Sequence, residues 1–359
     1  MTRRLMEGSE AMAEAAIAAG CRFFAGYPMT PFTELLEGFA KRLPESGGAC
    51  INAESELEAV GMAWGAVATG ARAATGSTGQ GLSLMQESFS EITRAELPLV
   101  IFNMARGQGD YYQSTRGGGH GDYRHIVLAP ADAQEAVELT QLAFDLADRW
   151  RNPVLIYGDY LIAHANESVD ITPRTYPPLP PKDWAVDGTL GGSGESRTVN
   201  PLGVDKKSLG IDPEGLWNRL QEKHERIECE EVRVETGFTE DAELVVVAFG
   251  SVGRFVRHVV REMRADGLKV GFVRPITLWP FPSEAVAAAA HAAGRVAVLE
   301  QNAGQMIDDV RLAVLGAAPV VAIGGISTDR SGFGVGDLLN PAAVRGRIEG
   351  ALSTGGNFR

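Results

Sequence analysis

Three acids stand two apart in Glu54-Ser55-Glu56-Leu57-Glu58, between a strand-like run and a helical pattern. A carboxylate at such a junction can point into the cleft at a strand end, where it can hold or move a proton. The competing reading is favourable placement of negative charge near a helix N-terminus. Acids at this spacing cannot all face one way, so at most one is special, and spacing does not say which. Gly76-Ser77-Thr78-Gly79-Gln80-Gly81 follows a strand ending at Thr75 and precedes a helix carrying Leu84 and Met85. Such a loop can offer backbone N–H groups and hydroxyls to a ligand, or simply connect two elements. Gly117-Gly118-Gly119-His120-Gly121-Asp122 reads as a flexible excursion, with a ligand or subunit contact as the sharper alternative.

Other chemistries lack their signatures. There is no Gly-x-x-x-x-Gly-Lys-Ser/Thr and no Gly-x-Gly-x-x-Gly between a strand and a helix; Gly250 and Gly253 read as a tight turn. No two histidines have the His-x-x-x-His spacing, and there is no Gly-x-Ser-x-Gly elbow. Cys21, Cys50 and Cys229 form no Cys-x-x-Cys pair, so no iron–sulfur cluster or cysteine zinc site is expected on this chain. Low cysteine use suits a reducing cytoplasm. The 33 basic and 46 acidic residues give a net charge of −13, which argues against nucleic acid as the main partner. No run reaches the ~20 apolar residues of a membrane span, and no signal-peptide pattern follows Met1. The expectation is a cytoplasmic protein without nucleic-acid or membrane partners.

Placing those residues requires an α/β scaffold. Over the first part of the chain, apolar runs at Arg22–Ala25, Cys50–Asn52, Arg72–Thr75, Leu99–Met104, His125–Leu128 and Val154–Tyr157 alternate with helical patterns. Alternation of this kind implies a parallel sheet with helices on both faces. Ser9 is the expected cap of the first helix, and Thr30-Pro31 the cap and first residue of the next. From Thr172 the chain turns rich in Pro, Gly and Ser and then polar, with one helical candidate at Pro213–Val232. A second alternating unit starts at Ala242. The expected divisions are 1–170, a linker arm over 171–238, and a smaller α/β domain over 239–359.

Several stretches, in this order, resemble the α subunit of thiamine-diphosphate-dependent 2-oxoacid:ferredoxin oxidoreductases of the branched-chain and 2-oxoglutarate type. They are Gly26-Tyr27-Pro28-Met29-Thr30-Pro31, Ala53-Glu54-Ser55-Glu56, Gly81-Leu82-Ser83-Leu84-Met85-Gln86-Glu87, Met104-Ala105-Arg106-Gly107 and Gly118-Gly119-His120-Gly121-Asp122-Tyr123-Arg124. Arg274-Pro275-Ile276-Thr277-Leu278-Trp279-Pro280-Phe281-Pro282 and Glu300-Gln301-Asn302-Ala303-Gly304-Gln305-Met306 continue the match, which covers nearly the whole chain. The resemblance implies a pyrimidine-binding domain followed by a domain like the transketolase C-terminal domain. It also implies a CoA-dependent oxidative decarboxylation of a 2-oxoacid, with electrons passing to iron–sulfur clusters or ferredoxin. Thiamine diphosphate would be shared with a β subunit. Its diphosphate and Mg²⁺ would bind on that subunit, because Gly121-Asp122 and Gly158-Asp159 here are each followed by Tyr instead of Gly. Clusters would reside on partner chains, with γ and ferredoxin-like δ subunits as further members.

By the same resemblance Glu56 is the acid that faces the pyrimidine N1′, with Glu54 as the fallback; Thr30 faces the substrate, and Arg106 pairs with the 2-oxoacid carboxylate. Tyr27, Pro28, Thr78 and Gly79 would border the cofactor, and Arg116, His120 and Asp122 a substrate loop. Two departures bear on specificity. Phe32-Thr33 stands where relatives often carry Ser-Ser, and Arg106-Gly107 runs directly into Gln108-Gly109-Asp110-Tyr111-Tyr112-Gln113 without the usual longer loop. Phe32, Tyr111 and Tyr112 against an alkyl tail favour a branched or aryl 2-oxoacid. Arg116 or Arg124 against a distal carboxylate would favour 2-oxoglutarate. Two alternatives stand beside this reading: a split subunit of another thiamine enzyme of transketolase or dehydrogenase type, and a non-catalytic scaffold subunit.

Overall fold

The computed structural model describes residues 3–186, 198–204, 210–326 and 339–353. Strands in chain order are β1 Arg4–Glu7, β2 Phe23–Gly26, β3 Ala49–Asn52, β4 Ala73–Ser77, β5 Leu99–Ala105, β6 Ile126–Leu128, β7 Val154–Asp159 and β8 Asn166–Val169. They continue as β9 Val234–Gly237, β10 Leu244–Val247, β11 Val270–Pro275, β12 Thr277–Trp279, β13 Val296–Val298 and β14 Val320–Ala322. Helices are α1 Gly8–Ala18, α2 Thr33–Arg42, α3 Glu56–Ala68, α4 Gly79–Arg94, α5 Tyr111–Thr115 and α6 Ala133–Trp150. They continue as α7 Tyr160–His164, α8 Pro213–Glu230, α9 Gly250–Ala265, α10 Ser283–Ala293, α11 Met306–Val314 and α12 Pro341–Ser353.

The larger sheet has the order β12-β6-β7-β5-β4-β2-β3 and is parallel except for β12. Residues of β4, β5 and β7 are buried along their whole length, which is why β5 and β7 open as apolar runs without alternation, while β4 carries only small residues. The smaller sheet has the order β14-β13-β10-β11-β9 and is parallel except for β9. The α/β reading with helices on both faces holds for both sheets.

The elements differ from expectation where caps and connections decide. Helix α1 starts at Gly8, and Ser9 is buried inside its first turn with an unpartnered hydroxyl, so it is no cap. Helix α2 starts at Thr33, with Phe32 at its N-cap, because the chain turns once more after Thr30-Pro31 before it coils. The arm is no free tether. Leu216, Leu220 and Ile227 of α8 are buried, Trp217 lies under the Arg94 guanidinium at 5.6 Å, and β9 enters the smaller sheet. Short apolar teeth on a charged helix suffice for this docking. In return, β12 leaves the C-terminal unit and pairs antiparallel with β6 of the larger sheet. No helix among the described residues is long and apolar enough to cross a membrane.

Candidate active site

Strands β2, β4 and β5 lie side by side and end nearly level, with Gly26 opposite Gly76 and Gly76 opposite Phe102. Their carboxyl ends, with that of β3, form the mouth at which parallel sheets carry ligands. From β2 the chain passes through Tyr27, Pro28 and Thr30, all exposed at this rim. Phe32, expected beside a substrate tail, is instead fully buried. Gly26 and Gly76 leave room for its ring, which a Cβ on either would touch, and Phe24 lies 6.1 Å away, centroid to centroid. An apolar ring under a glycine pair gains more from burial than from a wet cleft.

Strand β3 delivers the three acids, and helix capping separates them. Ser55 occupies the N-cap of α3, its Oγ accepting from Leu57 N at 3.2 Å and donating to Glu58. That turns Glu56 inward, 3% exposed, while Glu54 and Glu58 remain exposed. Glu56 Oε1 accepts a hydrogen bond from the buried Ser77 Oγ at 3.2 Å. Gly81, in the first turn of α4, faces both groups, and a Cβ there would strike Ser77 Oγ and Glu56 Oε1.

The Gly76–Gly81 stretch is barely a loop: β4 runs to Ser77, α4 begins at Gly79, and Thr78 is the N-cap between them. Thr78 Oγ1 is buried with no hydrogen-bond partner, as is Oδ1 of Asn103, which sits opposite Ser77 on β5. Unsatisfied buried oxygens are costly, and two at one mouth point to a polar group that binds there. Asp110 lies over the same helix start, so close that a Cβ at Gly79 would strike its carboxylate. Burial pushes the Asp110 carboxyl up to about 6, against the pull of Asn103 and Arg106 in the other direction. Gln113 Nε2 donates to Gly79 O at 3.0 Å and to Ser83 Oγ at 2.6 Å.

Arg106 follows β5 directly and reaches back across the mouth, Nε donating to Thr30 O at 3.1 Å. Thr30, Glu56, Thr78, Gly79 and Arg106 thus meet at one place, with Tyr27 and Pro28 on its rim. Arg116, His120 and Asp122 are elsewhere. Arg116 makes a bidentate pair with Asp309, at 3.1 and 2.9 Å, and its guanidinium lies 4.6 Å over the Tyr112 ring. His120 and Asp122 are exposed on a bend beside the middle of α4, where Gly118 N donates to Gln86 Oε1 at 2.9 Å. That is about two helical turns from Gly79. Tyr111 is fully buried, with its hydroxyl on Asp309 at 2.6 Å. Asn103 was not singled out from the sequence; Ser77 stood in the glycine-rich stretch, and Gln108, Asp110 and Gln113 in the short loop after Arg106, without an individual role at this mouth. The available signal was the pair Gly79 and Gly81, two bare positions in one helical turn that must each make room for something.

The described residues fit one half of thiamine diphosphate. A buried carboxylate and two unsatisfied oxygens suit the hydrogen-bonding edge of an aminopyrimidine. Arg106 is the one cation among the residues placed at this mouth, which suits a carboxylate better than a diphosphate with its metal ion.

Residues 14–183 match the family model of the thiamine diphosphate-binding domain of pyruvate flavodoxin/ferredoxin oxidoreductases, and residues 242–330 that of pyruvate:ferredoxin oxidoreductase core domain II. Ketoisovalerate oxidoreductase subunit VorB of Methanothermobacter thermautotrophicus is 40% identical over 324 residues, covering 87% of this chain and 90% of that protein. The 2-oxoglutarate synthase subunit KorA of the same organism is 37% identical over 346 residues, covering 88% and 92%. Among solved structures, a 2-oxoglutarate:ferredoxin oxidoreductase from Magnetococcus marinus aligns with a TM-score of 0.81 at 23% identity. That alignment covers 97% of this chain and 65% of the other. A split-gene transketolase aligns with a TM-score of 0.57 at 16% identity, covering 97% and 99%. At these identities both structures speak for the fold.

Proposed function

Because the chain belongs to the 2-oxoacid:ferredoxin oxidoreductase family, we propose that its Glu56 pocket holds the aminopyrimidine of thiamine diphosphate and that Arg106 receives the carboxylate of the 2-oxoacid. The chain is a subunit of an oxidoreductase whose family works with thiamine diphosphate and iron–sulfur clusters. The observation that carries the site reading is Glu56 itself, a nearly fully buried carboxylate at the open end of a parallel sheet, fixed by Ser77. When bound, thiamine diphosphate supplies the carbon nucleophile and electron sink that decarboxylation needs. Glu56 would hold the proton at the pyrimidine N1′, with Ser77 fixing one carboxylate oxygen so that the other faces the ring. Thr78 Oγ1 and Asn103 Oδ1 are acceptors in reach of the same pocket. Arg106 presents a planar fork suited to a carboxylate, its plane oriented by the bond from Nε to Thr30 O.

The pocket is open on the side of α3 and α4. Leu57, Met62 and Leu84 are exposed there, and Gly61 and Gly65 face open space. This face suits a β subunit that brings the diphosphate and Mg²⁺ site and closes the pocket; γ, ferredoxin-like δ subunits, ferredoxin and coenzyme A complete the assembly we propose. The isolated chain should therefore bind thiamine diphosphate weakly and lack activity, and tight Mg²⁺-dependent binding by calorimetry would contradict this.

For the substrate we propose a branched-chain or aryl 2-oxoacid. The support is that Arg116, one of the two cations expected for a distal carboxylate, is engaged by Asp309 and Tyr112, while Arg124, the other, is exposed and donates to Tyr123 O at 3.1 Å. Of the expected apolar wall, Tyr112 is half-buried, while Phe32 and Tyr111 lie inside the core.

The test uses the assembled complex. Glu56→Gln should slow exchange of the thiazolium C2 proton for deuterium on the order of a hundredfold or more, with Glu54→Gln near wild type. The reverse result would move the role to Glu54. A kcat/KM preference for 2-oxoglutarate over 2-oxoisovalerate that collapses in Arg116→Ala would refute the apolar reading.

A further inference from the structure

Arg106 is followed by Gly107-Gln108-Gly109, and open space surrounds the places where Cβ atoms of Gly107 and Gly109 would stand. Two free glycines flanking one residue leave the loop without local stiffness. Its stiffness comes from the C-terminal unit. Gln108 is buried, its Nε2 donating to Phe249 O at 3.1 Å and its Oε1 accepting from Gln301 N at 2.9 Å. The Gln108 carbonyl accepts from Asn302 Nδ2 at 2.8 Å. Gln305 spans the next segment, with Nε2 donating to Gly109 O at 2.8 Å and Oε1 accepting from Tyr112 N at 2.8 Å. The hydroxyls of Tyr111 and Tyr112 donate to Asp309 and Asp308 of α11.

The turn that makes these bonds is organised by one carboxylate. Glu300 is buried and accepts from Asn302 Nδ2 at 2.9 Å and from the backbone N–H groups of Gln305, Met306 and Ile307 at 3.1, 2.8 and 3.1 Å. Glu300 thus caps α11 and holds Asn302 and Gln305 in the directions the loop requires. From the N-terminal unit, the Tyr157 hydroxyl donates to Gly107 O at 3.0 Å and accepts from Asp110 N at 3.3 Å.

We propose that the Glu300–Met306 turn is a positioning element for the 2-oxoacid site, and that Gln108 and Gln305 are positioning residues acting through Arg106. This rests on the reading of Arg106 given above. Before Arg106 the backbone is set by β5; after it, by the C-terminal unit; and its guanidinium is tied to Thr30 O. Gln305 binds one C=O and one N–H three residues apart, so it fixes both the place and the rotation of the loop. Displacing a substrate-binding cation by about 1 Å can cost a hundredfold in rate or affinity.

The experiment is steady-state kinetics of the assembled complex carrying Gln305→Met, which keeps length and removes both hydrogen bonds. KM for the 2-oxoacid should rise about tenfold or more, with kcat and KM for coenzyme A little changed and thermal melting of the complex unaltered. In combination with Arg106→Lys the second substitution should add almost nothing, because both act on one contact. If Gln305→Met prevents assembly, Gln305→Glu serves. It keeps the acceptor for Tyr112 N, loses the donor to Gly109 O, and should give the same rise. Additive effects, equal rises for both substrates, or wild-type kinetics in the variant tested would overturn the positioning role. If Arg106→Lys raises KM and Gln305→Met does not, only the positioning role is lost. If Arg106→Lys leaves KM unchanged, the assignment of Arg106 fails, and the inference with it.

Discussion

At the scale of residues, the site is defined as much by missing side chains as by present ones. Gly81 exists to let Glu56 and Ser77 meet. Gly81→Ala should drive the two apart and lower activity of the complex at least as much as Glu56→Gln, while leaving α4 helical, since alanine is the better helix former. Circular dichroism alongside C2 exchange checks this; unchanged exchange would mean the pocket is looser than described. Asp110 supplies a pH test. Burial raises its pKa to about 6, above the ordinary carboxylate value near 4, so its charged form is disfavoured on folding. That contribution to stability is intact below about pH 4 and is lost as pH rises through about 6. Asp110→Asn should therefore match the wild type near pH 4 and melt higher than it at pH 7 to 8. A difference that shrinks with rising pH would contradict the burial described here.

At the scale of elements, bridging charges take over where hydrogen-bonded strands end. Arg274, at 3% exposure, makes a bidentate pair with Glu135 of α6 at 2.9 and 2.8 Å and donates to Glu235 of β9 at 2.7 Å, linking elements of both units. Gly253 of α9 makes way for it, since a Cβ there would lie 2.8 Å from the Arg274 side chain. Removing one partner of a buried pair typically costs about 3–5 kcal/mol, so Arg274→Met should shift the urea midpoint markedly, as followed by tryptophan fluorescence. Little of this bridging was legible beforehand. The parallel strands of the larger sheet were, because strands buried on both faces need no alternation, but the antiparallel β9 and β12 were not. Starts of helices were less so: Ser9 and Thr30-Pro31 look like caps, yet Ser9 lies buried inside the first turn of α1, and α2 starts only at Thr33. The buried acid of Glu54-Ser55-Glu56 could not be chosen by spacing, since the choice depends on Ser55 capping α3. Gln108 and Gln305 were illegible as partners, because they are nearly two hundred residues apart and neither is charged, although Gln305 lies in a stretch that carries the family resemblance.

At the scale of the whole molecule, buried His125 and half-buried His224 bear on acid tolerance. Burial depresses His125 to about 4, and burial with nearby Lys223 and Arg124 depresses His224 to about 3. Both lie below the ordinary value near 6.5, so the stability they contribute is present above that pH and is lost as pH falls toward 4 and 3. Unfolding free energy should decline through this window, and His224→Asn should soften the decline. An equally steep decline in that variant would place the cause elsewhere. The crossing strand β12 has a broader consequence. Because it leaves the smaller unit to finish the larger sheet, cutting the chain between the units would strip β6 of its neighbour and expose an unpaired hydrogen-bonding edge, a ready template for aggregation. The natural seam visible in the primary sequence is therefore a poor place to divide the molecule. Heat should melt both sheets in a single calorimetric peak, and an N-terminal fragment ending before Thr277 should be prone to association unless a strand is supplied in trans.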